Sequence, residues 1–491
     1  MRSCGLTVAL NVSKVVVSLK MFITRRNALR CSVAAATAPF VAKAQLQRPP
    51  NVVYIMADDL GYADLSCYGR MDYKTPNIDR LALSGTRFLQ AYANSSVCTA
   101  TRVALATGRY QYRVPVGNEE PLTGARQGVG LAPEHPTLAS LLRNTGYQTA
   151  LVGKWHMGEL PNFSPLKSGY DHFWGIRSGG VDYFTHKNSA GKNDLWDGNT
   201  NIERTGYVTD LLGDQAVDTI KRFTAARRPY FLSLHFTAPH WPWEGPADEA
   251  ESQRIRSLFH YDGGSMKTYA SMVTRLDDQV GRVLAAIEST GQARNTIVIF
   301  TSDNGGERFG NTWPFTGRKE ELLEGGLRIP AIVRWPGHVR PGSTTNQVAV
   351  SMDWLPTLVA AAGGSPDPAY PSDGTDLGPA LAGKLQARKL YWRFKFNHQK
   401  AMRDGDMKFL EIAGNQFLFN VVEDPMERAN LKARQPDVFQ RMVADHTTWN
   451  AAMLPEDPAS ISGPFAYGDE IADHFGVQRP AQPTPPPKPP R

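Results

Sequence analysis

The strongest constraint in this chain is a rhythm in which segments of helical spacing alternate with short, nearly continuous apolar runs. The run from Asn51 to Ala57 (NVVYIMA) ends abruptly in Asp58-Asp59-Leu60-Gly61. Thr75-Pro76 then opens a helix through Leu83, stopped by Gly85. Helical spacing over 138–144 precedes the run 149–155, a longer segment over 208–223 precedes 230–236, and another over 269–287 precedes 296–301. Runs apolar on both faces belong to strands covered from both sides. The pattern therefore predicts an α/β fold on a large, mostly parallel or mixed sheet flanked by helices.

Near Tyr391 the texture changes. Aromatic and polar residues alternate on either side of Asp404-Gly405, and helical spacing follows over 437–449. This predicts a smaller C-terminal α+β domain containing an antiparallel sheet, over residues 386–478, after a principal domain over 45–385. The tail 479–491 (RPAQPTPPPKPPR) is proline-rich and has nothing apolar to bury.

The formal charge of +7 suggests a polyanion partner until its location is noted. Seven bases and no acid lie in residues 1–44, so the rest of the chain is formally neutral and gives no argument for nucleic-acid binding. That N-terminal segment reads as an address. Arg25-Arg26 precedes a weakly apolar stretch from Cys31 to Val41 and the small-x-small triplet Ala42-Lys43-Ala44, the order of a twin-arginine export signal. Residues 1–20 precede a second plausible start at Met21. No later run is long and apolar enough for a membrane span, so stable membrane insertion is not expected. The mature protein is expected to be bacterial and periplasmic or secreted, after passage through the twin-arginine translocase. Of four cysteines only Cys67 and Cys98 lie outside the address, which permits at most one disulfide.

Each apolar run is followed closely by polar residues: Asp58-Asp59, Lys154 with His156, His240, and Asp303-Asn304. Ligands of open α/β sheets sit outside the carboxyl ends of strands, so one site can collect all of these. Asp58, Asp59, Asp303 and Asn304 offer only hard oxygen donors and little room for water, which favours Ca2+ over Mg2+; taken singly, each pair is an ordinary turn or helix cap. If Cys98 begins a helix, the helix dipole favours negative charge there and Arg102 lies one turn on. A buried structural cysteine and a thiolate nucleophile are the alternatives. Lys154 and His156, at i and i+2, would share one face of a strand. Lys319, ahead of Glu324-Gly325-Gly326, is surface charge by default. Together these residues and a divalent cation would suit a tetrahedral dianion or a sulfate ester.

Taken together, the motifs resemble the type I sulfatase family of the alkaline-phosphatase-like superfamily. The carriers are Cys98-Thr99-Ala100-Thr101-Arg102 with Thr107-Gly108-Arg109, Gly153-Lys154-Trp155-His156, the DDLG of Asp58 to Gly61, Pro239-His240, the SDNGG of Ser302 to Gly306, and Lys319 ahead of EGG. Ala100 stands where proline is more usual. The resemblance implies an alkaline-phosphatase-like fold and makes residues 45–385 the catalytic domain. It implies that a formylglycine-generating enzyme oxidises Cys98 to formylglycine, beside a calcium ion held by Asp58, Asp59, Asp303, Asn304 and residue 98 itself. The implied catalytic set is Cys98, Arg102, Lys154, His156, His240 and Lys319. One hydroxyl of the hydrated aldehyde would attack sulfur while Lys154, Lys319 and the cation hold the sulfuryl oxygens. His240, with Lys319, would protonate the leaving oxygen, and His156 would take the proton of the second hydroxyl so that sulfate is eliminated.

The expected substrate is a sulfated small molecule or glycan, with Ser178 and Asp182 as candidate substrate contacts and Tyr183, His186 and Trp196 as further residues of the same irregular segment. A phosphonate monoester or phosphodiester hydrolase of the same superfamily, and a noncatalytic calcium-dependent glycan binder, are the competing readings.

Overall fold

A computed structural model describes residues 48–463, apart from 125, 127, 256, 257 and 259–262, together with the two-residue strands Asn11–Val12 and Val15–Val16, which pair antiparallel. Apart from those two strands, the expected export address lies outside the described residues, as do the end of the expected C-terminal domain and the proline-rich tail. The described residues from Pro49 to Gly463 form one compact unit.

Ten strands of that unit make one sheet. In chain order they are β1 (Asn51–Ala57), β2 (Thr86–Phe88), β3 (Gln148–Lys154), β4 (His172–Ile176), β5 (Trp196–Asp197), β6 (Thr200–Asn201), β7 (Tyr230–His235), β8 (Thr296–Ser302), β9 (Ala331–Arg334) and β10 (Ser343–Thr345). Their spatial order is β10-β2-β9-β8-β1-β7-β3-β4-β5-β6. The five central strands, β8 to β4, are mutually parallel. Antiparallel pairs flank them, β8 with β9 and β9 with β2 on one side, β4 with β5 and β5 with β6 on the other.

The helices divide between two faces because β1 alternates. Val53, Ile55 and Ala57 enter one apolar core with α1 (Pro76–Leu83), α4 (Val208–Ala225) and α5 (Met266–Ser289), through Leu81, Leu212 and Leu276. Val52, Tyr54 and Met56 enter the other with α2 (Cys98–Thr107), α3 (Leu138–Asn144) and α6 (Trp354–Ala361), through Leu105, Leu142 and Leu358. Register then makes the strand ends flush: Met56 pairs with His235, His235 with Gly153, and Ala57 with Ser302. The residues that follow Ala57, Gly153 and Ser302 therefore emerge at one level on the carboxyl edge of the sheet.

The second sheet, β11 (Lys389–Phe394), β12 (Gln399–Asp404), β13 (Met407–Ile412) and β14 (Asn415–Asn420), is an antiparallel meander. One face carries α7 (Pro436–Ala451), packed through Phe439 and Met442. The other shares an apolar cluster with Tyr92, Val97 and Ala100, and Trp392 Nε1 donates to the Ala93 carbonyl at 2.9 Å. The second sheet thus buttresses the segment that leads into α2.

Candidate active site

Sharp turns begin where the strands stop. Asp58 directly follows β1, and Asp59 already has φ of +63°, so the two carboxylates need not point to opposite faces as strand neighbours would. The turn is tied across the sheet: Asp58 N–H donates to the Ala238 carbonyl at 3.1 Å, Asp303 N–H to the Ala57 carbonyl at 3.2 Å and Leu60 N–H to Ser302 Oγ at 3.0 Å. One carboxylate oxygen from each of Asp58, Asp59 and Asp303 lies within 4.8 Å of the others, and all three residues are buried.

Cys98 is the first residue of α2 and is buried. Its sulfur, an Asp58 oxygen and a His240 nitrogen also lie within 4.8 Å of one another. Arg102, one turn along, donates from Nη2 to Asp303 Oδ2 at 2.8 Å and lies 3.6 Å from Asp58 Oδ2. Lys154 Nζ reaches Asp58 Oδ2 at 2.5 Å, Lys319 Nζ reaches Asp59 Oδ2 at 2.6 Å, and Asn304 Nδ2 reaches Asp59 Oδ1 at 2.7 Å. Cys67 and Cys98 are both free thiols, so no disulfide joins them.

Lys154 and His156 are not successive positions on one strand face, as their spacing had suggested. β3 ends at Lys154, and His156 has φ of +56° in the turn beyond. Gly153 enables this turn: it has φ of +114°, and a Cβ there would stand 1.8 Å from the His235 carbonyl oxygen. His156 Nε2 faces the Leu122 carbonyl at 2.8 Å, so it carries the ring proton and leaves Nδ1 as a buried acceptor without a partner. His240 Nδ1 faces its neighbour's carbonyl, that of Trp241, at 2.6 Å, which turns Nε2 toward Asp59 Oδ2, 3.6 Å away.

The electrostatics are those of charges packed away from the protein surface. Burial, then the adjacent Asp303 carboxylate, push Asp58 up to about 8 against the pull of Lys154 and Arg102. Burial acts on Asp303 the same way, but Arg102 and Lys154 outweigh it and hold that carboxyl below its usual value. Burial and then Lys154 press His156 well below an ordinary imidazole; burial and then Lys319 do the same to His240. Lys319 is held well above the usual lysine range because Asp59 and other negative neighbours outweigh its burial. The Cys98 thiol is pushed up by burial in spite of Lys154, which disfavours a thiolate nucleophile.

Two oxygens of this cluster, Asp58 Oδ1 and Asn304 Oδ1, are buried without a hydrogen-bond partner. Three carboxylates, one with an unpartnered oxygen, and an unpartnered amide oxygen in one buried cluster fit a hard divalent cation, since buried polar atoms are normally paired.

The polar side chains of the irregular segment bond within and beside their own loops. Ser178 Oγ donates to the Gly180 carbonyl at 3.1 Å, and its N–H to Asp194 Oδ2 at 2.8 Å. The Asp182 carboxylate accepts the N–H groups of Phe184 and Thr185 and the Ser252 hydroxyl, so it organises a loop. Tyr183 Oη donates to the carbonyls of Thr237 and His240, bracing the histidine loop; His186 faces the Gly206 carbonyl and Trp196 donates to Asp194.

Three further features carried no sequence signal of their own. His235 lies behind Arg102, its Nδ1 3.4 Å from Nη1, and reads in sequence as one more residue of an apolar run. Burial raises Glu307, three residues past Asn304, to about 8, and it feels the charges of Lys319 and Asp59. Thr99 Oγ1 donates to the His156 carbonyl at 3.2 Å and accepts the Leu122 N–H at 3.0 Å, joining the start of α2 to the segment that orients His156.

Comparison with known proteins agrees with this arrangement. Residues 50–365 match the Sulfatase family model. The pig (Sus scrofa) N-acetylgalactosamine-6-sulfatase is 34% identical over 70% of this chain and 68% of its own length, and human (Homo sapiens) arylsulfatase A is 35% identical over 68% of each. Among solved structures, Ps i-CgsB in complex with k-i-k-neocarrahexaose superimposes with a TM-score of 0.77 at 30% identity, covering 85% of this chain and 95% of that one. With a buried acidic cluster, a helix-initial cysteine and two lysines converging at the carboxyl edge of the sheet, the chain belongs to the sulfatase family and is a sulfuric ester hydrolase.

Proposed function

We propose that the protein hydrolyses carbohydrate or aryl sulfates to an alcohol and inorganic sulfate, using a formylglycine made from Cys98 and a calcium ion held by Asp58, Asp59, Asp303, Asn304 and residue 98. The observation that carries this reading is the pair of orphaned oxygens on Asp58 and Asn304, in the same buried cluster as Cys98. The hydrated aldehyde supplies a nucleophilic hydroxyl and a second hydroxyl for releasing sulfate, and the cation supplies positive charge for the sulfuryl oxygens.

The remaining steps belong to the side chains described above. Lys154 and Lys319 hold the sulfuryl oxygens; both ammonium groups are buried and fixed by carboxylates. Arg102 keeps Asp303 in place and offsets negative charge at position 98. His240 carries the proton to the leaving oxygen at Nε2, because Nδ1 is committed to the Trp241 carbonyl. The negative charge of an arriving sulfate ester raises the proton affinity of this ring. His156 takes up the other proton at Nδ1, the unpartnered lone pair that burial keeps neutral.

A carbohydrate sulfate is favoured by the kinship with an N-acetylgalactosamine-6-sulfatase and with a protein crystallised with neocarrahexaose. The Arg25-Arg26 address favours periplasmic or secreted placement through the twin-arginine translocase, a route for folded proteins. That order lets a formylglycine-generating enzyme act in the cytoplasm first. Among the described residues no helix is long and apolar enough to cross a membrane.

The rival phosphodiesterase reading is supported only by shape. The phosphonate monoester hydrolase of Agrobacterium radiobacter superimposes with a TM-score of 0.59 at 21% identity. Comparing kcat/KM for 4-nitrophenyl sulfate with that for bis(4-nitrophenyl) phosphate tests the choice. The sulfate is expected to be the better substrate; faster phosphodiester cleavage would reverse the assignment. A glycan binder without catalysis would turn over neither.

A further inference from the structure

We propose that a groove beside the catalytic centre is a subsite for a second anionic saccharide unit, with Arg308 as the residue that meets its sulfate; this rests on the carbohydrate form of the reading above. The groove has a volume of about 490 Å3 and is lined by Arg70, Met71, Asp72, Met266, Arg308 and Phe309, among others. A space of this order suits one or two sugar units rather than a protein surface.

Its walls leave the same edge of the sheet as the active site. Residues 69–72 belong to the connection after β1, residues 305–311 follow β8, and Met266 opens the helix that leads back to β8. The two connections are tied together, with Ala63 N–H donating to the Asn311 carbonyl at 2.8 Å and Asn311 N–H to Asp64 Oδ1 at 3.0 Å. The groove is therefore continuous with the loops that carry Asp58, Asp59, Asp303 and Asn304.

Its charges are not equivalent. Arg70 is committed, with Nη1 on Asp64 at 2.8 Å and Nε on Asp72 at 2.5 Å, and this pairing holds the Asp72 carboxyl below its usual value. Arg308 is exposed and, among the described residues, has no carboxylate partner. Its guanidinium carbon lies 5.3 Å from the ring centre of Trp243 and 5.1 Å from that of Phe309. The two rings stand nearly perpendicular, 81° apart, and form a corner that holds the cationic end of Arg308 while no carboxylate takes up its N–H groups, which suits an anion such as a sulfate half-ester. Trp243 lies three residues past His240, and Arg308 four past Asn304, so the free cation stands on the two loops that frame the reacting group. Met71, 85% exposed, and Met266, 46% exposed, add the apolar surface that the C–H face of a pyranose requires.

Calorimetric titration of the wild type and of Arg308→Gln and Arg308→Lys with a carrageenan hexasaccharide, a chondroitin sulfate hexasaccharide and inorganic sulfate tests the assignment. Inorganic sulfate has no saccharide to span the catalytic centre and the groove, so its affinity reports on the catalytic centre apart from the subsite. Arg308→Gln is expected to weaken at least one hexasaccharide about tenfold, the loss of one charge-assisted contact, with inorganic sulfate binding and melting temperature as in the wild type. Arg308→Lys should recover part of the loss and keep its salt dependence. Equal weakening of hexasaccharide and inorganic sulfate, unchanged hexasaccharide affinity, or no hexasaccharide binding by the wild type would each overturn the subsite. A wild type that binds through Arg308 yet hydrolyses no sulfate ester would overturn the catalytic reading instead.

Discussion

At the scale of single residues, the site depends on clearance as much as on charge. Gly179 and Gly180 lie against both histidines: a Cβ at Gly179 would stand 2.7 Å from His156 Cε1, and one at Gly180 would stand 3.1 Å from His240 Cε1. Because the His156 ring is pinned by the Leu122 carbonyl, Gly179→Ala must displace a positioned imidazole rather than a loose side chain. We expect this substitution to lower kcat for an aryl sulfate by 10- to 100-fold, or roughly 1.4–2.7 kcal/mol of transition-state stabilisation. Melting temperature should change little; an unaltered kcat would show that His156 is not held there for catalysis. Candidate site residues were legible where they sit at or just past the end of an apolar run, as Asp58, Lys154 and Asp303 do. Lys319 follows no such run, and its reading came from the surrounding motif. The glycines and His235 stayed unread because their roles are tertiary, set by what the fold brings against them.

At the scale of elements, four of the five central parallel strands were legible because four apolar runs had helical segments between them; β4 was not, since it lies in a stretch rich in glycine and polar residues that showed no periodicity. The short strands β2, β5, β6 and β10 were not, since two or three residues carry no periodicity. The antiparallel C-terminal sheet was legible from its alternation, and its helix α7 brings a testable titration. His446 on α7 is buried, with Nε2 facing the Trp392 carbonyl at 2.9 Å. Burial lowers it to about 4, aided by Lys400 and Arg393 and opposed by Glu411. The unfolded chain binds this proton near pH 6.5 and the folded chain does not until about pH 4. Stability from this group is thus present above pH 6.5 and lost as pH falls toward 4, by up to about 3 kcal/mol. His446→Gln, which keeps a donor for Trp392, should flatten that part of the acid limb in urea unfolding. An identical pH dependence in variant and wild type would remove His446 from the account.

At the scale of the whole molecule, the flush ends of β1, β3, β7 and β8 concentrate buried like charge at one point. Asp58, Asp59 and Asp303 are offset by Lys154, Arg102 and Lys319. Asp58 Oδ1 and Asn304 Oδ1 nonetheless stay unpartnered, so a bound cation should stabilise the fold as well as the reaction. Chelation is expected to lower both activity and melting temperature, with calcium restoring them better than magnesium. At a hundredfold excess over its dissociation constant a ligand contributes about 2.7 kcal/mol, several degrees in melting temperature. Chelation without effect on either would exclude the metal role of the acidic cluster.

Every step depends on what residue 98 becomes. Mass spectrometry of the peptide carrying Cys98, taken from fully active protein, measures this directly. The mass of an aldehyde, or of its hydrate, is expected in place of the thiol. An intact cysteine in material that hydrolyses sulfate esters at full rate would contradict it.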